Sequence, residues 1–593
     1  MSTERDDSKI ETSMTPARGP GTDSSPAPEG PGTVGAARAH SAVTRRGVLK
    51  AGTAAGLAVT GAGGFLLGSN RGRPVAIGAN AMAPARQNGN VLVAGWEEDA
   101  QTLDPAKTIC GHEVRIVNQF GNTLWGLEGT TTDPVPMLAE SWEGSTDGLT
   151  WTVKLKPNLT FQDGTPCDAA AVKWSFDRFL DANHPFYDPP YNLLSYYLGG
   201  PDLDYGIETV EVTDPLGLTF TLKKPDPTFL TKMTNGYAAV VSPTALKAAG
   251  NDAFGQMPVC TGPFKVSSWE KGVRIVMDRF DGFYGEQAKV DQLIIRPIVE
   301  NAARLTALQQ GEVDFIVAMS PEFIPVIEQD PNLQLLQSPG FHIWWVALNV
   351  HVTPLEDVKV RQALNYAVDK QAIVDSILQG AATLTNGPII GHSWGNDPAV
   401  QPYPYDPEQA KALLAEAGLA DGFTTNFWVP ESGSGMVAPK EIGQIIQANL
   451  AEVGVTAEIV TQEWTSYVAD WQNKGLDAGP YGMAEMSWNF SSPDPAEWLE
   501  PNVMTAAHPP GGGFNGSFYS NPEVDDLLTK ATQTFNQDDR ADFFKQAQAV
   551  MREDCPWIFM FSANNVAAAT ARLKGIELNS DPSVVSLNLA YFE

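Results

Sequence analysis

The chain has 593 residues and a formal net charge of −31; residues 1–81 hold nine Lys/Arg against six Asp/Glu, so the remainder carries about −34. That acidity excludes nucleic acid as a partner and adhesion to anionic lipid by charge. Its four cysteines, Cys110, Cys167, Cys260 and Cys555, share no CxxC pair and no zinc spacing, which argues against a zinc module or a dithiol redox centre.

Residues 1–40 are rich in Ser, Thr, Pro, Gly and Ala. They bury too little apolar surface to offset chain entropy and are predicted to be disordered. Residues 41–83 read as a signal region. Thr44-Arg45-Arg46-Gly47-Val48-Leu49-Lys50 sets paired arginines before the uncharged stretch Ala51–Gly68, with small-x-small sites at Ala79-Asn80-Ala81 and Ala81-Met82-Ala83. This is the order of a signal sequence, and the arginine pair points to the twin-arginine route. The stretch is mostly Ala, Gly and Thr and barely of membrane-spanning length, so it reads as a cleaved signal rather than an anchor. The body is therefore expected in the periplasm or at the extracytoplasmic face of the membrane. Export permits disulfides, but four cysteines allow three pairings and the sequence does not choose.

The remaining stretch of about 500 residues exceeds what one core supports, so two or three domains are predicted. Val91–Ala94 is a short apolar strand leading to a polar loop, Glu97 to Pro105. Between Trp142 and Phe161, Leu149, Trp151, Val153 and Leu155 alternate with Thr150, Thr152, Lys154 and Lys156, the period of a half-buried strand. Asp163-Gly164 and Thr165-Pro166 are turn chemistry. A helix is predicted over Ala169–Leu180, with Val172, Phe176 and Phe179 on one stripe. A hairpin joins Val210–Val212 to Thr219–Leu222. Further strands are predicted at Phe264–Trp269, Arg274–Arg279, Gln292–Ile298 and Asp314–Ile316. Helices are predicted at Asn301–Gln310, Val358–Val368, Lys370–Leu378, Pro407–Ala417, Pro439–Val453, Val524–Gln533 and Arg540–Glu553. Interleaved strands and helices give α/β lobes with mixed sheets.

Four blocks carry a resemblance. The first runs from Leu138-Ala139-Glu140-Ser141-Trp142 through Asp147-Gly148-Leu149-Thr150-Trp151, Leu155-Lys156-Pro157 and Phe161-Gln162-Asp163-Gly164-Thr165-Pro166 to Val172-Lys173-Trp174-Ser175-Phe176. The second is Thr261-Gly262-Pro263-Phe264-Lys265-Val266, continuing to Phe283-Tyr284-Gly285. The third is Asn349 with Val360-Arg361-Gln362-Ala363-Leu364-Asn365-Tyr366-Ala367-Val368-Asp369-Lys370. The fourth is Gln462-Glu463-Trp464, Asp494-Pro495 and Phe518-Tyr519-Ser520-Asn521-Pro522-Glu523-Val524-Asp525. In this order, over roughly residues 90–593, the chain resembles the family 5 extracellular solute-binding proteins of ABC importers, the oligopeptide, dipeptide and nickel-binding group. It departs at Ala171, where the family usually has Asp.

The resemblance implies a two-lobed periplasmic-binding-protein-like fold of type II, the large variant with an extra subdomain and a hinge of two chain crossings. Lobe Ia would comprise 88–111, 241–340 and 563–593, subdomain Ib 112–240, and lobe II 341–562. The implied function is a receptor without catalytic residues that closes on a small organic ligand and delivers it to the membrane permease of an ABC importer. It would act as a monomer, with no metal and no cofactor. An exported hydrolase, or a signalling or chaperone role on the same scaffold, is the competing reading. Matched to the family's contact segments, which follow the first strand, surround Gln462-Glu463-Trp464 and form the loop before Asp494-Pro495, the ligand-binding residues would be Glu97, Glu98, Asp99, Trp464, Glu485, Trp488, Asn489 and Ser491. Tyr237, in a plausible cleft loop after Asn235-Gly236, and Trp345 join them; alternation would send one indole of Trp344-Trp345 to the cleft and the other to the core. Peptide-binding members typically carry Asp where this chain has Ser491, and the oligopeptide type has Arg where it has Glu485. With both charge partners lost, free di- and tripeptides are expected to bind poorly. A ligand of low terminal charge, or a cation meeting Glu485, is expected instead.

Other groups have plain readings. His112, His184, His342, His351, His392 and His508 are dispersed and read as surface or core side chains. Gly511-Gly512-Gly513 lacks the Lys-Ser/Thr of a phosphate loop, and Ser432-Gly433-Ser434-Gly435 is not a nucleophile elbow.

Overall fold

One long strand, Trp557–Thr570, ties the molecule together. Trp557–Phe561 pairs antiparallel with His342–Leu348. Asn564–Thr570 pairs antiparallel with Leu333–Pro339. The strand thus sits in both halves of a 12-stranded sheet. This computed structural model describes residues 90–127, 134–188, 193–490, 492–511 and 513–593, all within the compact unit Ala81–Glu593. The expected signal region, residues 41–83, and Ser491 lie outside the described residues. Among those residues no helix is long and apolar enough to cross a membrane.

On one side of the shared strand, Val91–Trp96 lies parallel between Gln292–Pro297 and Phe315–Ile316. Arg274–Arg279 and Phe264–Glu270 extend that half outward. On the other side, His342–Leu348 is followed by Tyr481–Asn489, Phe423–Pro430 and Val455–Gln462. A separate four-stranded antiparallel sheet, containing Ala139–Gly144, Thr150–Leu155, Gly217–Leu222 and Ile207–Asp214, has its own core around Val153, Phe176 and Phe220. The fold is two-lobed α/β with mixed sheets.

Local chemistry sets these elements. In Thr150–Leu155, Trp151, Val153 and Leu155 are buried while Thr152 and Lys154 are exposed. The Ala169–Leu180 helix starts where the Asp168 carboxylate accepts the Ala171 N–H at 2.9 Å. Its Val172–Phe176–Phe179 stripe is buried, each side chain adding about 1.5–3 kcal/mol. Two helices begin earlier than expected, at Pro522 and Gln537, because Asn521 and Asn536 cap them.

Two expectations fail in the second lobe. The segment around Glu485, read as a loop, is the strand Tyr481–Asn489. Neither Trp344 nor Trp345 faces a cleft. Trp344 stacks on Phe561 at 5.3 Å and Trp345 on Trp557 at 4.5 Å, and both are buried. Their strand is central and covered on both faces, so alternation sorts its side chains between two cores. All four cysteines are free thiols.

Candidate ligand-binding cleft

A cavity of about 540 Å³ opens where the lobes meet. One wall comes from the end of the first strand and the start of the Gly111–Phe120 helix: Glu97, Glu98, Cys110, His112 and Arg115. The facing wall is Ser434, Gly435 and Asn489, and its floor includes Asn564 and Asn565 of the shared strand. The Ser434-Gly435 loop follows the carboxyl end of the parallel strand Phe423–Pro430, where open α/β sheets place their ligands. Gly435 has φ +72°, and a Cβ there would stand 2.8 Å from Ser487 Oγ.

The charges of this cavity are unequal. Arg115 grips Glu97 with two hydrogen bonds, 2.5 and 2.8 Å, and its Nε donates to the Pro582 carbonyl. Burial alone would raise the Glu97 carboxyl; the Arg115 guanidinium overrides it and holds the group below the usual range. Glu98 is 61% exposed and lies 3.5 Å from His112 Nε2. His342 is sealed beneath the facing wall. Its Nε2–H donates to the Gly435 carbonyl at 2.9 Å and its Nδ1 accepts the Ala563 N–H at 3.1 Å. Burial pushes its pKa down to about 4. It links the loop of one lobe to the strand shared by both.

A second cavity, about 500 Å³, lies between the four-stranded subdomain and the other lobe, with Tyr196, Tyr197, Tyr205 and Lys232 on one side and Trp488 and Glu500 on the other. Trp488 and Asn489 are consecutive on one strand and point to opposite faces, one into each cavity.

Of the residues expected to bind ligand, Glu97, Glu98 and Asn489 meet in the first cavity and Trp488 lines the second. Asp99 lines neither cavity: its carboxylate accepts from Trp269 Nε1 and the Gly272 N–H, fastening the hairpin of Phe264–Glu270 and Arg274–Arg279. Tyr237 is buried, stacked on Tyr197 at 5.3 Å with its hydroxyl donating to the Lys232 carbonyl. Trp464 opens a helix, half-buried against Tyr467 and the Gly433 backbone, and lines neither cavity. Glu485 is fully buried beneath Gly443 of the Pro439–Glu452 helix, and neither carboxyl oxygen has a hydrogen-bond partner. It cannot repel a ligand carboxylate, so that half of the expectation that free peptides bind poorly loses its basis; the other half rests on Ser491, outside the described residues. Sequence reasoning missed Arg115, His112, His342 and the Ser434-Gly435 loop. Only the small-residue run after a strand signalled the last.

A two-lobed body with a ligand-sized cavity lined from both lobes is the architecture of a solute receptor, whose ligand favours the closed form by touching both halves. The chain belongs to the family 5 bacterial extracellular solute-binding proteins, whose model matches residues 133–507. It is 34% identical over 470 residues to heme-binding protein A of Haemophilus influenzae, covering 77% of this chain and 84% of that one. It is 33% identical over 482 residues to the glutathione-binding protein GsiB of Pectobacterium atrosepticum, covering 81% and 90%. The structure of HbpA2 from Haemophilus parasuis superposes with a TM-score of 0.77 at 28% identity, covering 85% of this chain and all of that one. This protein is thus a solute-binding receptor of the ABC-importer class.

Proposed function

We propose that the receptor takes a peptide-like solute with a free amino end, returns it unchanged to a membrane permease, and works as a monomer outside the cytoplasm. The observation that carries the ligand class is the charge of the first cavity. Arg115 is spent on Glu97, which leaves the Glu98 carboxylate facing the opening. An ammonium entering there gains a charge-assisted partner, while a polyanion gains none. The glutathione-binding relative supports this reading, since glutathione is a tripeptide with a free ammonium. The second cavity, walled by tyrosines and Trp488, offers stacking surface to a bulkier side chain. The lobes would divide as 88–111, 241–340 and 563–593 against 341–562, with 112–240 as the subdomain; the shared strand Trp557–Thr570 supports a hinge there.

Calorimetry on chelator-treated protein tests the ligand class. Amino-acetylated short peptides are expected to bind about 10–150-fold more weakly than free ones, the worth of one charge-assisted bond. Glu98→Gln should weaken the free peptides and leave the acetylated ones unchanged. Equal affinity of both peptide forms for the natural protein overturns the reading, and release of a cleaved product overturns the non-catalytic role. For export, Arg45→Lys with Arg46→Lys is expected to retain the precursor in the cytoplasm, because a receptor reads the arginines and not their charge. Normal export of that variant would sink the twin-arginine assignment.

A further inference from the structure

Three potential metal donors converge beside the first cavity, with a further carboxylate next to one of them. Cys110 stands at the N-cap of the Gly111–Phe120 helix, and its Sγ lies 3.5 Å from His112 Nε2. The same nitrogen lies 3.5 Å from Glu98 Oε2. Sγ of Cys110, a ring nitrogen of His112 and a carboxylate oxygen of Glu113 fall within 4.8 Å of one another. A tetrahedral zinc-like ion has bonds of about 2.0–2.2 Å to N or O and about 2.3 Å to S, which place neighbouring donors about 3.3–3.7 Å apart. The 3.5 Å separation of Cys110 Sγ and His112 Nε2 falls on that edge length.

We propose that Cys110, His112 and Glu113 form a site for a thiophilic divalent transition-metal ion beside the cleft wall, with the Glu98 carboxylate as a neighbouring negative charge. The donor set is mixed S, N and O, which suits zinc, cobalt or nickel and not calcium or magnesium. Glu113 is pre-placed: its two oxygens accept the Gln101 and Ile109 N–H groups, each at 2.9 Å, so the turn carrying Cys110 and His112 is held before any ion arrives. Each oxygen keeps a further lone pair for an ion.

Without an ion the arrangement could serve only as a thiol–imidazole–carboxylate hydrogen-bond chain. A coordinating ion displaces the thiol proton outright, the proton passing to solvent. Cys110 and His112 line the cavity, so coordination positions left over by the protein face the space a solute would occupy.

The test uses the full chain without an affinity tag, stripped with chelator and free of solute. Zinc chloride titrated by calorimetry is expected to bind with a stoichiometry of one. Cobalt substitution is expected to give a near-ultraviolet thiolate-to-metal charge-transfer band. Cys110→Ser should abolish that band. Cys110→Ser and His112→Gln should each weaken zinc on the order of 100-fold, at or above the upper end of what supporting residues alone contribute. Glu98→Gln alters a mostly exposed side chain and serves as the variant that cannot disturb the fold; it should weaken zinc with the metal-free melting temperature unchanged. Absence of stoichiometric zinc binding, or zinc binding indifferent to all three substitutions, overturns the site. Either failure leaves the solute reading standing, because the peptide titrations are made with chelator present.

Discussion

Asp494→Ala is expected to destabilise the protein by about 3–5 kcal/mol, the cost of stranding a buried charge. Asp494 and Arg540 are 3% and 5% exposed, paired through two contacts of 2.7 and 3.0 Å. Asp494 also accepts the Ala496 N–H, and Arg540 Nε donates to the Ala531 carbonyl. Removing the carboxylate leaves the guanidinium in a dry site with the Ala531 carbonyl and the rings of Trp394, at 5.0 Å, and Phe544, at 5.8 Å, as neighbours and no counter-charge among them. The pair holds the chain just beyond Trp488 and Asn489, so both cavities should loosen as well. A drop of several degrees in melting temperature is the readout. Lys224→Ala, which breaks the exposed pair with Asp204, should change it little. The double change Asp494→Leu with Arg540→Met should recover much of the loss, since apolar replacement of a buried pair is often neutral. An Asp494→Ala protein that melts with the natural one would refute this account.

Glu485→Gln is expected to stabilise the protein at neutral pH and to leave it unchanged near pH 4. Burial first, and Glu441 next, raise the Glu485 carboxyl well above its ordinary value of 4.5. The unfolded chain releases this proton near pH 4.5 while the folded protein keeps it. The folded state therefore binds more protons above that pH, and stability falls by about 1.4 kcal/mol per pH unit until the folded-state pKa is passed. His342 and His392 act in the opposite sense. Burial pushes both from 6.5 to about 4, so the unfolded imidazoles take protons that the folded ones refuse, and stability rises between pH 4 and 6.5. The two slopes oppose each other in the natural protein, and the difference between it and Glu485→Gln isolates the carboxyl. The gap in melting temperature should widen from pH 5 to pH 7. A gap independent of pH, or a variant less stable at pH 7, would show that the carboxyl is not held protonated.

Why the chain keeps this group is a matter of packing. Gly443 lies over Glu485 Oε1, where a Cβ would come within 2.9 Å, and Tyr467 donates to the Glu485 carbonyl at 2.6 Å. The helix, the strand and the hydroxyl fix the backbone; the carboxyl itself is left without a hydrogen-bond partner. In the oligopeptide type of the family the matched position carries an arginine, and the match placed Glu485 among the ligand-binding residues. The strand Tyr481–Asn489 has its far end at the cleft and its middle in the core, so two residues of the matched segment, Trp488 and Asn489, reach the cavities while Glu485 does not.

The sequence by itself determined the family, and with it the two-lobed plan, because capping residues, turn dipeptides and block order are local and survive divergence. Asp168 starts a helix and Asp163-Gly164 turns the chain whatever packs against them. Alternation also sufficed for Thr150–Leu155, a strand with one wet face. Only the tertiary structure decided which side chains meet the ligand. His342–Leu348 and Tyr481–Asn489 are central strands covered on both sides, so a period of two says which residues share a face and nothing about which face is open. The same holds for Cys110, His112 and Glu98. Eleven residues of chain lie between the glutamate and the cysteine, and their spacing matches no metal motif. The turn between the first strand and the first helix brings their donor atoms to 3.5 Å, a contact set by the path of the backbone and invisible to any local pattern.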